Sequence, residues 1–209
     1  MEFSFTLISI FYVIKFTLAS ETDTENQAKI LYPNLFNISY IKEKTHNYEH
    51  FSVYLKETPE KGIGVYARKR ILPNRVVLFY KLKIFDERKN RKPLSNGEYS
   101  FVVHTIINEK FYVNVFKYGD LYEKSNQKPR GRKPFWGYLA NEPSLNQTKN
   151  VYCDRNWEEN YKFKTGYKEG QILYYKLISS RIIEPDEEIT WCYGMFYKNK
   201  YEKNCDQTD

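Results

Sequence analysis

Between Gln171 and Gly194 the chain reads QILYYKLISSRIIEPDEEITWCYG. Two β-rich runs flank a charged turn at Glu184 to Glu188, so this stretch is constrained to short strands joined by a tight connection. Upstream, from Trp136, the sequence WGYLANEPSLNQTKNVY places a Gly, an Asn and a Pro in close succession. That succession argues for turns or a tight loop rather than a regular element.

The length of 209 residues allows one domain with a substantial core and argues against two. Aromatic residues make up 18% of the chain, with 20 Tyr and 14 Phe, well above what a disordered chain carries, so it is expected to fold. Its formal net charge of +7 makes the surface basic and favours encounter with polyanions. The cysteines at 153, 192 and 205 are widely spaced and odd in number. They are expected to form neither a disulfide framework nor a zinc cluster.

The segment from Phe3 to Ala19 is apolar apart from scattered Ser and Thr and Lys15, and leaves three readings open. It resembles a signal or membrane anchor, although it begins Met-Glu and carries its only Lys late. Phe3, Phe5 and Leu7 alternate at period two, so an ordered element packed on the domain is the second reading. A poorly ordered extension is the third. Residues 21 to 27 read as a linker, and Ile30 to Tyr40 as an irregular segment packing its aromatics, with a short helix as the alternative.

His50 to Leu55 alternates as a strand does, and a polar turn is expected from Lys56 to Gly62. Gly62, Ile63, Gly64, Val65, Tyr66 and Ala67 then form a strand whose glycines allow close backbone approach, either to a ligand or simply within a hairpin. Val76 to Tyr80 is a short apolar run. Residues 61 to 92 hold eleven Lys and Arg against only Asp86 and Glu87. Such a run is either a solvated face or a surface that meets nucleic-acid phosphates without regard to sequence. Tyr99 to Ile107 and Lys110 to Phe116 read as a hairpin around Asn108 and Glu109. His104 on an apolar strand is expected to be packed or hydrogen-bonded. Lys124 to Pro134 reads as an exposed basic loop, and Trp157 to Lys168 as a surface excursion.

Three of these stretches together resemble a known family. KGIGVYARKRILPNRVV at 61 to 77, the asparagine-centred Tyr138 to Pro143 with Asn150 and Val151, and Arg181 to Gly194 resemble three motifs of the SET domain, the protein-lysine methyltransferase fold. They occur in the family's order and look most like its PR/SET branch. In the last motif Asp186 stands where the family has a turn glycine, and Ile189 where it has leucine. The resemblance implies a mainly β fold with short helices, the SET-type β-clip with a pseudoknot-like C-terminal crossing. It divides the chain into an apolar segment 1–20, a flanking region 21–50, a SET-like domain 51–197 and a polar tail 198–209.

The same resemblance implies S-adenosyl-L-methionine as cofactor, contacted by Gly62, Ile63, Gly64, Tyr66, Tyr99, Asn141 and Glu142. Many members have a histidine after the asparagine, where this chain has Glu142, followed by Pro143. Tyr193 is the implied catalytic residue, and Trp191, Tyr193 and Phe196 the implied walls of a substrate channel; no metal is expected. Only Cys205 follows Gly194, and one thiolate cannot supply the four ligands of a structural zinc site. Residue by residue, bland alternatives stand beside these roles: Asn141 as a turn residue ahead of Pro143, Tyr193 as a core tyrosine ending the last strand.

The chemistry implied is in-line methyl transfer from a sulfonium to a neutral lysine amine, which depends on positioning and on desolvation of that amine. The expected substrate is a protein lysine, with histone one candidate, and the expected compartment the nucleus or cytoplasm. Nucleic-acid contact through residues 61–92 and membrane contact through 3–19 are secondary expectations. The rival is a catalytically silent PR/SET-like module that binds protein or nucleic acid. A secreted basic domain is the reading favoured only if residues 3–19 are cleaved.

Overall fold

The computed structural model describes residues 27–44, 52–89, 99–107, 110–127, 133–154, 167–193 and 204–205. Outside them lie the apolar segment 3–19, the 21–26 linker, Phe51, the end of the basic run at 90–92, the turn at Asn108 and Glu109, most of the 157–168 excursion, and Phe196. The side chain of His104 is outside them too.

The apolar run at Val76 continues as an eleven-residue strand, β3 (Val76–Asp86), through two lysines that sequence reading placed in a basic surface. It continues because both edges are paired: β7 (Ile172–Ser179) runs antiparallel along one, and β5 (Lys110–Asp120) along part of the other. With β4 (Phe101–Ile107) and β6 (Val151–Asp154) the order is β4-β5-β3-β7-β6, so β3 is central. A central strand shielded on both faces is buried almost throughout, as Val77, Leu78, Leu82 and Ile84 are. The 99–107 and 110–116 hairpin is present, with β5 running on to Asp120.

β1 (Val53–Thr58) and β2 (Gly62–Ala67) form a separate antiparallel pair, from Val53 opposite Ala67 to Thr58 opposite Gly62. The turn expected from Lys56 therefore begins only after Thr58. Lys56 and Glu57 stay in the strand because Gly64 and Ile63 face them across the ladder. The Ile30 to Tyr40 region is also more regular than expected. It contains α1 (Gln27–Leu31), a 3-10 turn at Pro33–Phe36 and α2 (Ile38–Lys44). Pro33 sits at the first turn of its helix, where its missing N–H costs nothing. Leu35 and Ile41 bury into the main core, and the Leu35 carbonyl accepts the Tyr138 hydroxyl at 2.7 Å.

The last part of the chain ties these pieces together. Asp186 N–H donates to Ala67, Ala67 N–H to Glu187, and Ile189 N–H to Val65, so residues 186–189 extend the β1–β2 pair by one strand-like edge. Two residues on, Trp191 N–H donates to the Asn141 carbonyl, while Asn150 and Val151 donate to Thr190. The terminal segment thus passes between β2 and the 141–151 loop, bonded to both. Asp186 takes a left-handed φ of +64° at the tight turn before this passage. Asp tolerates that conformation, and its carboxylate accepts the Tyr54 hydroxyl at 2.8 Å. The architecture is mainly β with short helices, as expected.

Candidate active site

Gly64 is the point of closest approach. A Cβ there would lie 2.8 Å from Glu188 Oε1 and 3.1 Å from Asn141 Nδ2, so only glycine lets β2 pass beneath these two side chains. Asn141 is buried, and its amide nitrogen donates to Glu188 Oε1 at 3.0 Å and to the Ile63 carbonyl at 3.4 Å. Because a carboxylate only accepts, Glu188 dictates that the amide NH2 faces it. The Asn141 carbonyl oxygen therefore points the other way.

Glu188 is fixed in turn by Lys61. Lys61 Nζ donates to Glu188 Oε2 at 2.9 Å, to Gln147 Oε1 at 2.6 Å and to the Glu142 carbonyl at 3.1 Å. Gln147 Nε2 also donates to Glu188 Oε2 at 3.0 Å. The buried charges are thus paired and bonded on several sides, the condition for a buried ion pair to hold geometry. Asn150 completes the support, accepting Thr190 N–H at 2.9 Å while donating to the Glu188 carbonyl at 2.7 Å.

On the other side of residues 140–141 the surroundings are aromatic. The Ala140 carbonyl accepts both the Trp191 indole N–H at 3.0 Å and the Tyr193 hydroxyl at 2.8 Å. Trp191 and Tyr193 meet at 4.9 Å between ring centroids, and Trp191 stacks on Phe101 at 5.8 Å. Tyr80 touches both Phe101 and Trp191, and its hydroxyl donates to the Tyr99 carbonyl at 3.4 Å. Glu142 is fully buried and accepts the Tyr193 backbone N–H at 2.8 Å. It acts as an anchor for the strand end, a role that needs only an acceptor.

The sequence-predicted residues therefore fall into two adjoining groups. Gly62, Ile63, Gly64 and Asn141 form the polar one, and Trp191 and Tyr193 the aromatic one. Glu142 lies at their junction. Tyr66 lies beside the polar group: it bridges to Glu188 through the backbone and packs on Tyr54. Burial, then Glu188 and Tyr54, pushes its phenol up to about 12. Tyr99 borders the aromatic side through its carbonyl, which accepts the Tyr80 hydroxyl, while its ring packs on Phe36 at 5.4 Å. Sequence reading did not assign Lys61, Gln147 or Glu188 to the site, because it placed Lys61 in the basic run and Glu188 in a charged turn. The usable signal was that Lys61 directly precedes Gly62.

Two expectations are corrected. The basic run is not one surface, since Lys61 and Lys81 turn inward while Arg68, Lys69, Arg70 and Arg75 are exposed. Lys81 Nζ donates to the Lys124 and Gln127 carbonyls and lies 5.4 Å from the ring centres of both Tyr122 and Phe135. The cysteines do pair: Cys192 is bonded to Cys205, and Cys153 is free. Sequence spacing hid that bond because the fold, not the separation, brings residue 205 back beside residue 192.

Comparison with known proteins bears on this arrangement. The SET domain family model matches residues 62–194, which span both groups. No curated protein matches the chain. Among solved structures, the crystal structure of a Plasmodium falciparum "putative histone methyltransferase" aligns with a TM-score of 0.43 and 17% identity, covering 70% of this chain and 97% of that one.

Proposed function

We propose that this chain, which belongs to the SET domain family, transfers a methyl group from S-adenosyl-L-methionine to a lysine of a protein substrate, with histone a candidate. The observation that carries this reading is the Ala140–Asn141 peptide, with an oriented amide on one side and the Trp191–Tyr193 aromatic pair on the other. The PR/SET branch is the finer assignment, the one that the three motifs resemble most, with Glu142 and Pro143 a departure from the commonest family pattern.

The residues present fit such a cofactor. The Asn141 side-chain oxygen, on the other side of the amide from Glu188, is an acceptor suited to an ammonium group. The neighbouring β2 backbone at Gly62 to Gly64 can approach a ligand closely. When bound, the cofactor supplies an electrophilic methyl. The chain's own residues then have two tasks. The polar group holds the amino-acid end through Asn141, and the aromatic group receives the lysine stem. Trp191, Phe101 and Tyr80 make that side apolar, which favours the neutral amine by desolvation. The Tyr193 hydroxyl, at the edge of this surface, orients the amine nitrogen. Positioning, rather than acid–base chemistry, provides most of the rate.

The test is calorimetric titration with S-adenosyl-L-methionine, beside Asn141→Ala, followed by methyl transfer to lysine peptides including histone tails. Binding lost in the variant, with turnover lost in Tyr193→Phe, is the expected result. A folded protein that binds no cofactor overturns the reading. A second reading is favoured by one observation: the Tyr193 hydroxyl already donates to Ala140. In that reading the domain is a silent binding module. It retains its protein or nucleic-acid partner in Asn141→Ala and Tyr193→Phe alike.

Among the described residues no helix is long and apolar enough to cross a membrane. Work on a nuclear or cytoplasmic protein substrate is the setting proposed here.

A further inference from the structure

Cys192 immediately precedes Tyr193, and its sulfur is bonded to Cys205 across a sequence separation of 13. The two ends of this bridge are held very differently. Around Cys192, Trp191 N–H donates to the Asn141 carbonyl at 3.1 Å, its indole N–H to Ala140 at 3.0 Å, and Tyr193 N–H to Glu142 at 2.8 Å. The fold keeps Cys192 in place with or without the bridge. At the other end, Asn204 donates its N–H to the Pro143 carbonyl at 3.1 Å and its exposed side-chain amide to the Gln147 carbonyl at 2.8 Å. Beside these two hydrogen bonds, the covalent bond ties that end to the domain.

Both cysteines are partly exposed. Their sulfurs and a Glu142 carboxylate oxygen lie within 4.8 Å of one another. The methyl-transfer reading places the protein in a reducing compartment, where disulfides are commonly transient or redox-sensing rather than permanent.

Resting on that reading, we propose that Cys192–Cys205 is a reversible thiol–disulfide site. Oxidised, it fixes Asn204 and Cys205 against Glu142, Pro143 and Gln147, behind Tyr193. Reduced, it releases them while Tyr193 stays anchored. The exchange partner is a dithiol. One of its thiolates attacks a bridge sulfur, breaking the S–S bond and forming a mixed disulfide. Its second thiol then closes the partner's own disulfide. The net transfer is two electrons and two protons, leaving Cys192 and Cys205 as thiols.

The experiment uses the full oxidised chain treated with dithiothreitol, read by intact mass, thiol alkylation, near-ultraviolet circular dichroism and amide hydrogen exchange. The expected result is opening of the bridge with the dichroism unchanged. Exchange at the Asn204 amide should accelerate about tenfold or more while the Trp191 amide stays protected. Cys205→Ser should show the fast Asn204 exchange without reductant and no response to it. The proposal is overturned if all three cysteines alkylate before reduction, if the bridge opens only as the protein unfolds, or if Asn204 exchanges equally in both states. None of these readouts uses the cofactor. Their failure therefore leaves methyl transfer standing, and a failed cofactor titration with redox-dependent exchange overturns only the methyl-transfer reading.

Discussion

Lys61 Nζ lies 2.9 Å from Glu188 Oε2, and the two side chains keep only 5% and 4% of their exposure. Removing one partner leaves the other charge buried and unpaired. Lys61→Ala should therefore cost about 3–5 kcal/mol in urea unfolding. Replacing both charges, as in Lys61→Met with Glu188→Gln, should recover most of that loss, because the new amide oxygen at position 188 would still accept from Asn141. Equal stability of the single and double variants would show that the pair contributes no more than its separate side chains.

Gly64 and Gly137 make a contrasting pair of tests. At Gly64 an added Cβ meets three side chains, Glu188 at 2.8 Å, Asn141 at 3.1 Å and the Tyr66 ring at 3.2 Å, which give more readily than backbone does. Gly64→Ala is expected to cost about 1–3 kcal/mol and to weaken cofactor binding more than it weakens the fold. At Gly137 the Cβ meets backbone, the Phe79 carbonyl oxygen and Tyr80 nitrogen, both at 2.9 Å. Backbone of the central strand has nowhere to go, so Gly137→Ala should show the larger drop in melting temperature.

Tyr193→Phe removes one hydrogen bond, to the Ala140 carbonyl. Stability should fall by about 0.5–1.5 kcal/mol, and the ring should keep its contact with Trp191. Methyl transfer, by contrast, should fall by about a hundredfold or more, as on loss of a group acting on the developing charge. Parallel thermal melts and single-turnover rates separate the two effects.

Burial, and then the Lys124 charge, lowers the Lys81 ammonium from 10.5 to about 8. Between about pH 8 and 10.5 the unfolded chain therefore binds a proton that the folded one has released. Stability should rise with pH through that window, because the cost of burying the charged form disappears. Tyr66 works in the opposite sense. With its phenol held at about 12 in the fold against 10.0 ordinarily, it makes stability fall above about pH 10. In denaturant titrations from about pH 7 to 12, Lys81→Met should flatten most of the rising limb, leaving the part owed to Lys133, whose ammonium burial also lowers, and should leave the falling limb intact.

The strand segments were legible because period-two runs and turn residues are local signals, whereas Asn141 and Tyr193 were singled out by the resemblance of their motifs to the SET family. Gly62 to Ala67 is a strand in both readings and the run expected from Gln171 to Ser179 is β7, whereas Ile189 to Tyr193, also expected as a strand, is an irregular segment bonded to β2 and the asparagine loop. Lys81 was not legible as a buried residue. Its burial depends on the 121–127 loop bringing two carbonyls and the Tyr122 ring over it, together with Phe135. Glu188 was obscured similarly: in sequence it is half of an acidic pair at a turn, and only the passage beside β2 turns it toward Asn141. The Cys192–Cys205 bond likewise depends on where the fold returns the chain. Each missed feature is a long-range pairing, invisible to spacing and propensity.

The passage of residues 186–191 between β2 and the 141–151 loop also imposes an order of assembly. Neither flank can be completed by local contacts, since the segment pairs with residues that precede it by more than a hundred positions on one side and by about forty to fifty on the other. Such distant closures are entropically late. During synthesis the β1–β2 hairpin and the asparagine loop emerge first, with the edge that joins them still missing. The two groups meet only when the last strand-like segment leaves the ribosome, so a chain stopped before Asp186 would hold Gly62, Gly64 and Asn141 yet lack the Glu188, Trp191 and Tyr193 side chains that surround them.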